Sequence, residues 1–474
     1  MITMSASRRW LILIATSIVS FMATLDASIV NIALPYIARE LKVPMSTIEL
    51  VTSVYMIAIC VLLIFWGKLS DSVGRIWLFQ LGTILFALGS LFCGLSMTLP
   101  WLLTARLIQA TGAAMTMATN FGIITAIFPM NQHGRALGVN SALLQLGNIA
   151  GPGIGGGVLA VLSWHWIFLI NVPVALVAFL IGVLVFPRQR PSLAGAHMDW
   201  PGYGSYSVII LGFFITVFWA QTAGLSWVTL LPGMLAFVAL VAFVQIERYA
   251  SDPLIPFAIF KNPGFTIGIL TAMIVYMLGY FNSVIMPFYL EETLGLSALT
   301  AGFCMMAIPA ANVISAPIGG NLGDHFGAER VSFFALFLWC MPMGLFAAAT
   351  PNWPLGWIVF GLAWSGLANG AFQNNPMMMD NVAPKFQGLA GSMAALGRNL
   401  GMTIGVALVT SLLYLNMSTQ AGRYIHDYPH GHPQWFIYGM HRSYDFALLL
   451  LLLAVLLLGW LNLHRLHERK QSLS

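Results

Sequence analysis

Charged side chains are nearly missing from this sequence: Asp, Glu, Lys and Arg make up 7% of its 474 residues, against about 25% in ordinary soluble domains. With 59% hydrophobic residues and so little charge, the chain has no polar surface to hold a globule in water. Cysteine is scarce as well. Cys60, Cys93, Cys304 and Cys340 all sit in apolar runs without C-x-x-C spacing, which excludes a disulfide framework or thiolate metal cage and leaves small buried hydrophobes. No long soluble domain interrupts the chain, and no hydrolytic triad, metal cage or nucleotide loop is legible. Gly153-x-Gly155-x-Gly157 lacks the preceding strand that dinucleotide binding requires. An enzyme and a cofactor are therefore not expected. The net charge of +5 does not point to nucleic acid, because the cations sit at helix ends, where topology explains them.

What is present is a succession of apolar runs of membrane-spanning length. Pro, Gly and charged clusters divide them into about fourteen spans, near 10–34, 47–66, 77–95, 101–127, 135–161, 165–187, 202–220, 226–247, 264–290, 298–320, 330–348, 354–380, 388–414 and 441–464. Arg8 and Arg9 ahead of the first run imitate a secretory leader, but the run is long and contains Asp26, so it reads as an uncleaved first span. An even count puts both termini on one side. Fourteen of the twenty Lys and Arg fall on that side and four on the other (Arg39, Lys42, Arg423, Arg442), leaving Arg106 and Arg398 within spans. The termini are accordingly expected in the cytoplasm.

A repeat organises the spans. Gly67-Lys68-Leu69-Ser70-Asp71-Ser72-Val73-Gly74-Arg75 lies between two apolar runs, and its G-x-L-x-D-x-x-G skeleton returns 253 residues later at Gly320-Asn321-Leu322-Gly323-Asp324-His325-Phe326-Gly327. The glycines permit a tight reversal and each Asp is placed to cap or pair with a neighbouring helix. The same offset takes Gly138 to Gly391, each following a Pro-containing turn, so six spans map onto six. The pair left over, near 202–220 and 226–247, reads as an inserted hairpin. The expected fold is thus an all-α membrane protein with a six-helix bundle over 1–190, an inserted hairpin with linkers over 191–262, and a second six-helix bundle over 263–474.

Asp26 carries the sharpest chemistry, because a carboxylate at membrane depth is costly and faces the bundle interior, where it can take up and release a proton. A structural ion pair is the other reading, and the two are compatible. Arg106 is the one cation inside the fourth span, about 9 Å in from Pro100, while Asp26 lies about 13 Å from Pro35 at 1.5 Å per residue, so the two share a depth. In the fifth span, Gly147, Gly151, Pro152, Gly155 and Gly156 make a thin helix, suited either to tight packing or to a hinge. Arg398, mid-way along the thirteenth span, maps by the offset onto Gln145, so that position is polar in both halves. Its alternatives are cavity electrostatics, pairing and snorkelling. Asp26 maps onto Gly279, which places the proton carrier in the first half only. Gln373 and Asn374 lead into Asn375-Pro376-Met377-Met378-Met379, adaptable side chains that suit either a promiscuous apolar cavity or ordinary packing. Asn31, Tyr55, Tyr276, Tyr280 and Phe281 are further candidates for a cavity wall. Glu291 and Glu292 read as a solvated rim. His426, His430 and His432 in the loop near 415–440 read as polar surface, since no matching ligand set accompanies them.

At these residues the chain resembles the major facilitator superfamily, and within it the fourteen-span drug:proton antiporters. The likeness runs over nearly the whole chain: Leu25-Asp26-x-x-Ile29-Val30-Asn31-x-Ala33-Leu34-Pro35 resembles the family's first-span signature, and Gly67 to Arg75 its cytoplasmic gating loop. Arg106 with Gln109 and Gly112 is similar to its fourth-helix motif, Gly147 to Gly157 to the antiporter motif, and Ser163 to Pro173 to a stretch common in the fourteen-span group. The resemblance implies Asp26 as proton carrier with Arg106, and gating by Gly67, Asp71, Gly74, Arg75 and Asp324. Ser72 and Ile76 stand where the gating loop is usually basic, and Ala110 replaces a usual Gly. Ala328 stands where the second loop would match Arg75, so neutralising Asp324 is expected to shift the balance between orientations less than neutralising Asp71. The implied function is proton-driven export of amphipathic or cationic compounds by alternating access, with the proton as coupling ion. Uptake or export of one metabolite, and a non-transporting receptor or scaffold, are the alternatives. The implied setting is a bacterial inner membrane, with lipid, protons and a small-molecule substrate as partners and no membrane-fusion partner legible.

Overall fold

The computed structural model describes residues 5–43, 45–48, 50–187, 199–223, 226–250, 253–383, 386–423, 429 and 432–471. Arg188, Arg190, Lys385, His426 and His430 lie outside them. The described chain is helical wherever the sequence is apolar, because in hydrocarbon only a helix satisfies every backbone group within one segment. The helices are α1 (Ala6–Leu41), α2 (Leu50–Val73), α3 (Arg75–Gly94), α4 (Leu99–Ile127), α5 (His133–Val161), α6 (Asn171–Val185), α7 (Trp200–Ala223), α8 (Trp227–Tyr249), α9 (Pro263–Phe288), α10 (Ala307–Phe326), α11 (Ala328–Ala347), α12 (Leu355–Ala371), α13 (Gln387–Ala421) and α14 (Pro433–Gln471). Short helices His165–Leu169, Ala298–Met305 and Asn374–Met379 extend α6, α10 and α12. Among the described residues twelve spans meet the length and hydropathy needed to cross a membrane. α5 and α7, outside that set, are helices of 29 and 24 residues, so the fourteen expected spans each find a helix.

The two glycine loops fold alike. Gly74 has φ of 115° and Gly327 of 93°, a region closed to ordinary L residues, and these two glycines are 253 positions apart. The Gly74 N–H donates to Ser70 O (3.0 Å) and the Gly327 N–H to Gly323 O (2.9 Å), ending α2 and α10 in the same way. The next helix starts one residue later in both halves.

By contacts the chain forms two compact units. The first comprises 1–130, 143–262 and 379–396; the second comprises 131–142, 263–378 and 397–474. The chain passes between the units after Asn262, the hairpin α7–α8 lies in the first unit, and the segments 131–142 and 379–396 fall in the second and the first unit respectively. Within the first unit α4 packs along α3 and α2. In the second, α12 packs along α11 and α10, the pairs related to them by the repeat. The second unit's core runs through Phe281, Trp339, Phe346, Phe436 and Tyr444. The hairpin is fastened to α2: the Tyr206 hydroxyl donates to Cys60 O (2.7 Å), and Lys68 in the first glycine loop donates to Pro253 O. Trp227, Leu231, Phe237 and Val238 on α8 are exposed, as suits a face meeting lipid tails.

Candidate functional site

Asp26 on α1 and Arg106 on α4 meet as their depths predict, and neither is exposed at all. Arg106 Nη1 donates to Asp26 Oδ2 at 2.6 Å. Position 109 stands one helical turn beyond Arg106 on the same face of α4, so Gln109 Nε2 reaches Asp26 Oδ1 (2.9 Å) while its Oε1 accepts from Arg106 Nη1 (2.6 Å). Asn171, the first residue of α6, donates to the same Oδ1 at 2.9 Å. Gln109 Nε2 also reaches Ser90 Oγ (2.8 Å), and Cys93 Sγ donates to Gln109 Oε1 (3.8 Å). Arg106 Nε donates to Val51 O (3.1 Å), and its guanidinium carbon stands 4.1 Å from the centre of the Tyr55 ring. Close helices make this possible: a Cβ on Gly89 would lie 2.4 Å from the Gln109 backbone nitrogen, and one on Gly112 would lie 2.3 Å from that of Phe86.

The result is a dry cage in which one negative and one positive group cancel. A buried pair of this kind offers little net stability, since desolvation offsets attraction, yet stranding either charge is costly. Arg106 Nη2 and the Tyr55 hydroxyl, both buried, have no hydrogen-bond partner among the described residues. The cage thus holds spare donors around a single carboxylate.

Three glycines bring α5 against the Asp26 helix. A Cβ on Gly147 would meet Thr24 Oγ1 at 2.2 Å, on Gly151 Ser28 Oγ at 2.3 Å, and on Gly155 Ile29 Cγ1 at 2.7 Å. Their spacing of four makes one rail along α1. Gly156 meets nothing within 4 Å and is not part of it. The side chains of Asn31, Gln145 and Pro152 lie outside the described residues, although all three positions are helical.

Both loop aspartates end on helix N-termini, where amides point outward unpaired. In the first unit Asp71 Oδ1 accepts from Arg75 Nη2 (2.8 Å) and Nε (3.1 Å), and its Oδ2 accepts from the Leu389 N–H at the start of α13 (3.1 Å). Arg75 Nη1 adds Gln387 Oε1 and Gly122 O, both at 3.3 Å. In the second unit Asp324 accepts from Gly134 N–H (2.6 Å) and Arg135 N–H (2.9 Å) at the start of α5. Each of the two Asp324 oxygens thus takes a backbone amide at the N-terminus of α5.

Other candidates separate. Tyr55 and Phe281 are buried, and so are Gln373 and Asn374, at 4% and 5% exposure. The Gln373 N–H donates to Ser332 Oγ (3.0 Å), and Met378 fills the space beside Gly268, so this cluster is packing within the second unit rather than an open mouth. Tyr276, Tyr280 and Arg398 remain partly exposed. Of the cage, Asn171 and Ser90 escaped the sequence reading as ligands; an amide amid the apolar run Ile167–Val177 was the available signal for Asn171. No cluster of His, Cys, Asp or Glu able to hold a metal occurs among the described residues.

The sequence matches the Major Facilitator Superfamily over residues 16–261, 203–405 and 267–471, and the chain belongs to that family of membrane transporters. It is 34% identical over 409 residues to the riboflavin transporter RibZ of Clostridioides difficile, covering 85% of this chain and 88% of that protein. Multidrug resistance protein 3 of Bacillus subtilis is 29% identical, with 82% of this chain and 76% of that one covered. Among solved structures, the human organic anion transporter MFSD10 shares the fold at a TM-score of 0.63 and 13% identity, over 96% of this chain and 100% of that one.

Proposed function

We propose that the protein is a proton-coupled secondary transporter that exports amphipathic organic compounds by alternating access, with Asp26 as the proton carrier. The carrying observation is the sealed cage: Asp26 is wholly buried and held by Arg106, Gln109 and Asn171. Protonation would discharge Asp26, release Arg106 from its partner and so change the relative stability of two conformations that differ in access to the cage. The aspartate caps on α5 and α13 would break in one of those conformations, and the glycine rail would let α1 and α5 slide without leaving a void. Both termini and both glycine loops lie on the cytoplasmic side of a bacterial inner membrane in this reading, which the charge count along the sequence supports.

Relatives named for multidrug resistance, and one named a tetracenomycin C resistance and export protein at 27% identity, support export. The relative named a riboflavin transporter supports a second reading, coupled movement of one metabolite on the same scaffold. Proteoliposomes with an imposed pH gradient and a substrate panel distinguish them, since export against uptake fixes the direction of proton flow. Asp26→Asn should lose uphill transport and keep gradient-free exchange. Uphill transport at the native rate in that variant would remove Asp26 from the role.

A further inference from the structure

We propose that Arg398, with the hydroxyls of Tyr276 and Tyr280, forms a binding subsite for the anionic group of an aromatic substrate. This deepens the transport reading above and rests on it. Of the two cations within spans, Arg106 is neutralised by Asp26, and Arg398 is not. Among the described residues Arg398 has no ion pair and no hydrogen bond; its guanidinium carbon stands 6.0 Å from the centre of the Tyr276 ring. It lies eleven residues into α13, about 16 Å from the helix start at 1.5 Å per residue, deeper than an Arg side chain can reach back to an interface. Tyr276 is thirteen residues into α9, about 20 Å, so the two share the middle of a hydrocarbon core about 30 Å thick. A charge kept there without a partner is a functional group by default.

The helix opposite is built to receive something. Tyr276, Gly279, Tyr280 and Ser283 recur at i, i+3, i+4 and i+7, one face of α9, and none of the four is buried. A Cβ on Gly279 would meet nothing within 4 Å, so there is open space between the two tyrosines. Val275, Leu278 and Phe281 fill the other side of the helix into the core. Leu270 and Phe288 are exposed on a different, purely apolar line. A face with three hydroxyls in four residues is not the composition of a lipid contact. Neither tyrosine hydroxyl has a hydrogen-bond partner among the described residues.

The donor set decides the ligand. A guanidinium offers five N–H donors, accepts nothing and keeps its proton, and the two phenols add donors beside it. Among the described residues no carboxylate pairs with Arg398 or either tyrosine, so a cationic compound would meet like charge. A carboxylate, or the deprotonated imide of a flat heterocycle, would take a bidentate bond from Arg398 while its ring stacks on Tyr276 or Tyr280. The subsite therefore selects aromatic anions, a narrower class than the amphipathic or cationic compounds that the resemblance implies.

Equilibrium binding of fluorescein, an aromatic anion, and ethidium, an aromatic cation, to the full chain in nanodiscs tests this by fluorescence anisotropy without any gradient. Arg398→Gln should weaken fluorescein at least tenfold and leave ethidium unchanged or stronger, with Arg398→Lys between. Tyr276→Phe with Tyr280→Phe should weaken fluorescein severalfold, and this pair serves if Arg398→Gln does not fold. Failure of the native chain to bind fluorescein, unchanged fluorescein affinity in Arg398→Gln or in the double Tyr variant, or equal losses for both dyes, would overturn the proposal. Fluorescein selectivity in nanodiscs together with an absence of proton-coupled transport in proteoliposomes would count against the transport reading alone.

Discussion

Replacing Arg106 by Met keeps an unbranched, flexible stem and removes the charge, which leaves the Asp26 carboxylate unpaired in a fully buried cage. Breaking a buried pair in this way costs about 3–5 kcal/mol, since the remaining charge keeps its desolvation penalty and loses its partner. Gln109 and Asn171 still donate to Oδ1 at 2.9 Å each, so the lower half of that range is expected. Asp26→Asn should cost less, about 1–3 kcal/mol, because Arg106 retains Val51 O, Gln109 Oε1 and the Tyr55 face. The double variant has no charge left to strand. It should be at least about 1.5 kcal/mol more stable than the sum of the single effects requires, a coupling within the range seen for residues in contact. Unfolding in mixed micelles of graded denaturing detergent, followed by tryptophan fluorescence, gives the three differences. Additive single effects would refute the account of the cage.

The glycine rail predicts a contrast between neighbours: Gly151→Ala should lower the melting point by an overpacking cost of about 1–3 kcal/mol, since its Cβ would stand 2.3 Å from Ser28 Oγ, whereas Gly156→Ala, facing open space, should be neutral or stabilising by up to about 1 kcal/mol. Hydrogen exchange should report the two caps separately. Asp324→Asn should speed exchange at Gly134 and Arg135 at the start of α5, and Asp71→Asn at Leu389 at the start of α13, where Arg75 still reaches Gln387; equal protection in variant and native protein at those amides would remove the caps from any gating role. For topology, single cysteines at Ser72 and His325 in an otherwise Cys-free chain should resist membrane-impermeant maleimide in intact cells and react in inverted vesicles, and labelling of either from outside would reverse the orientation.

Whatever depends on solvent and chain geometry alone is legible in the residues. Runs of apolar residues long enough to cross a bilayer have no alternative to helix, so fourteen spans were legible without coordinates. A two-fold recurrence of one loop fixed the repeat, because Gly74 and Gly327 both need positive φ at the same step of a reversal. Asp26 and Arg106 were legible for the same reason: charge at that depth is expensive enough that two opposite charges at one level imply each other. What tertiary structure alone decided is which neutral groups complete each site. Asn171 and Ser90 join the cage, but an amide or hydroxyl in a membrane helix bonds its own backbone, a neighbour or water at similar cost, and only the packing of α3, α4 and α6 selects between them. The same holds for Asp324, whose amide partners Gly134 and Arg135 at the N-terminus of α5 no spacing in the sequence names. Packing also separated the aromatics, which composition treats alike. Tyr55 went beneath Arg106 and Phe281 into the core, while Tyr276 beside Arg398 and Tyr280 one turn on were left partly exposed, because a helix face is buried or open according to its neighbours and not its own residues.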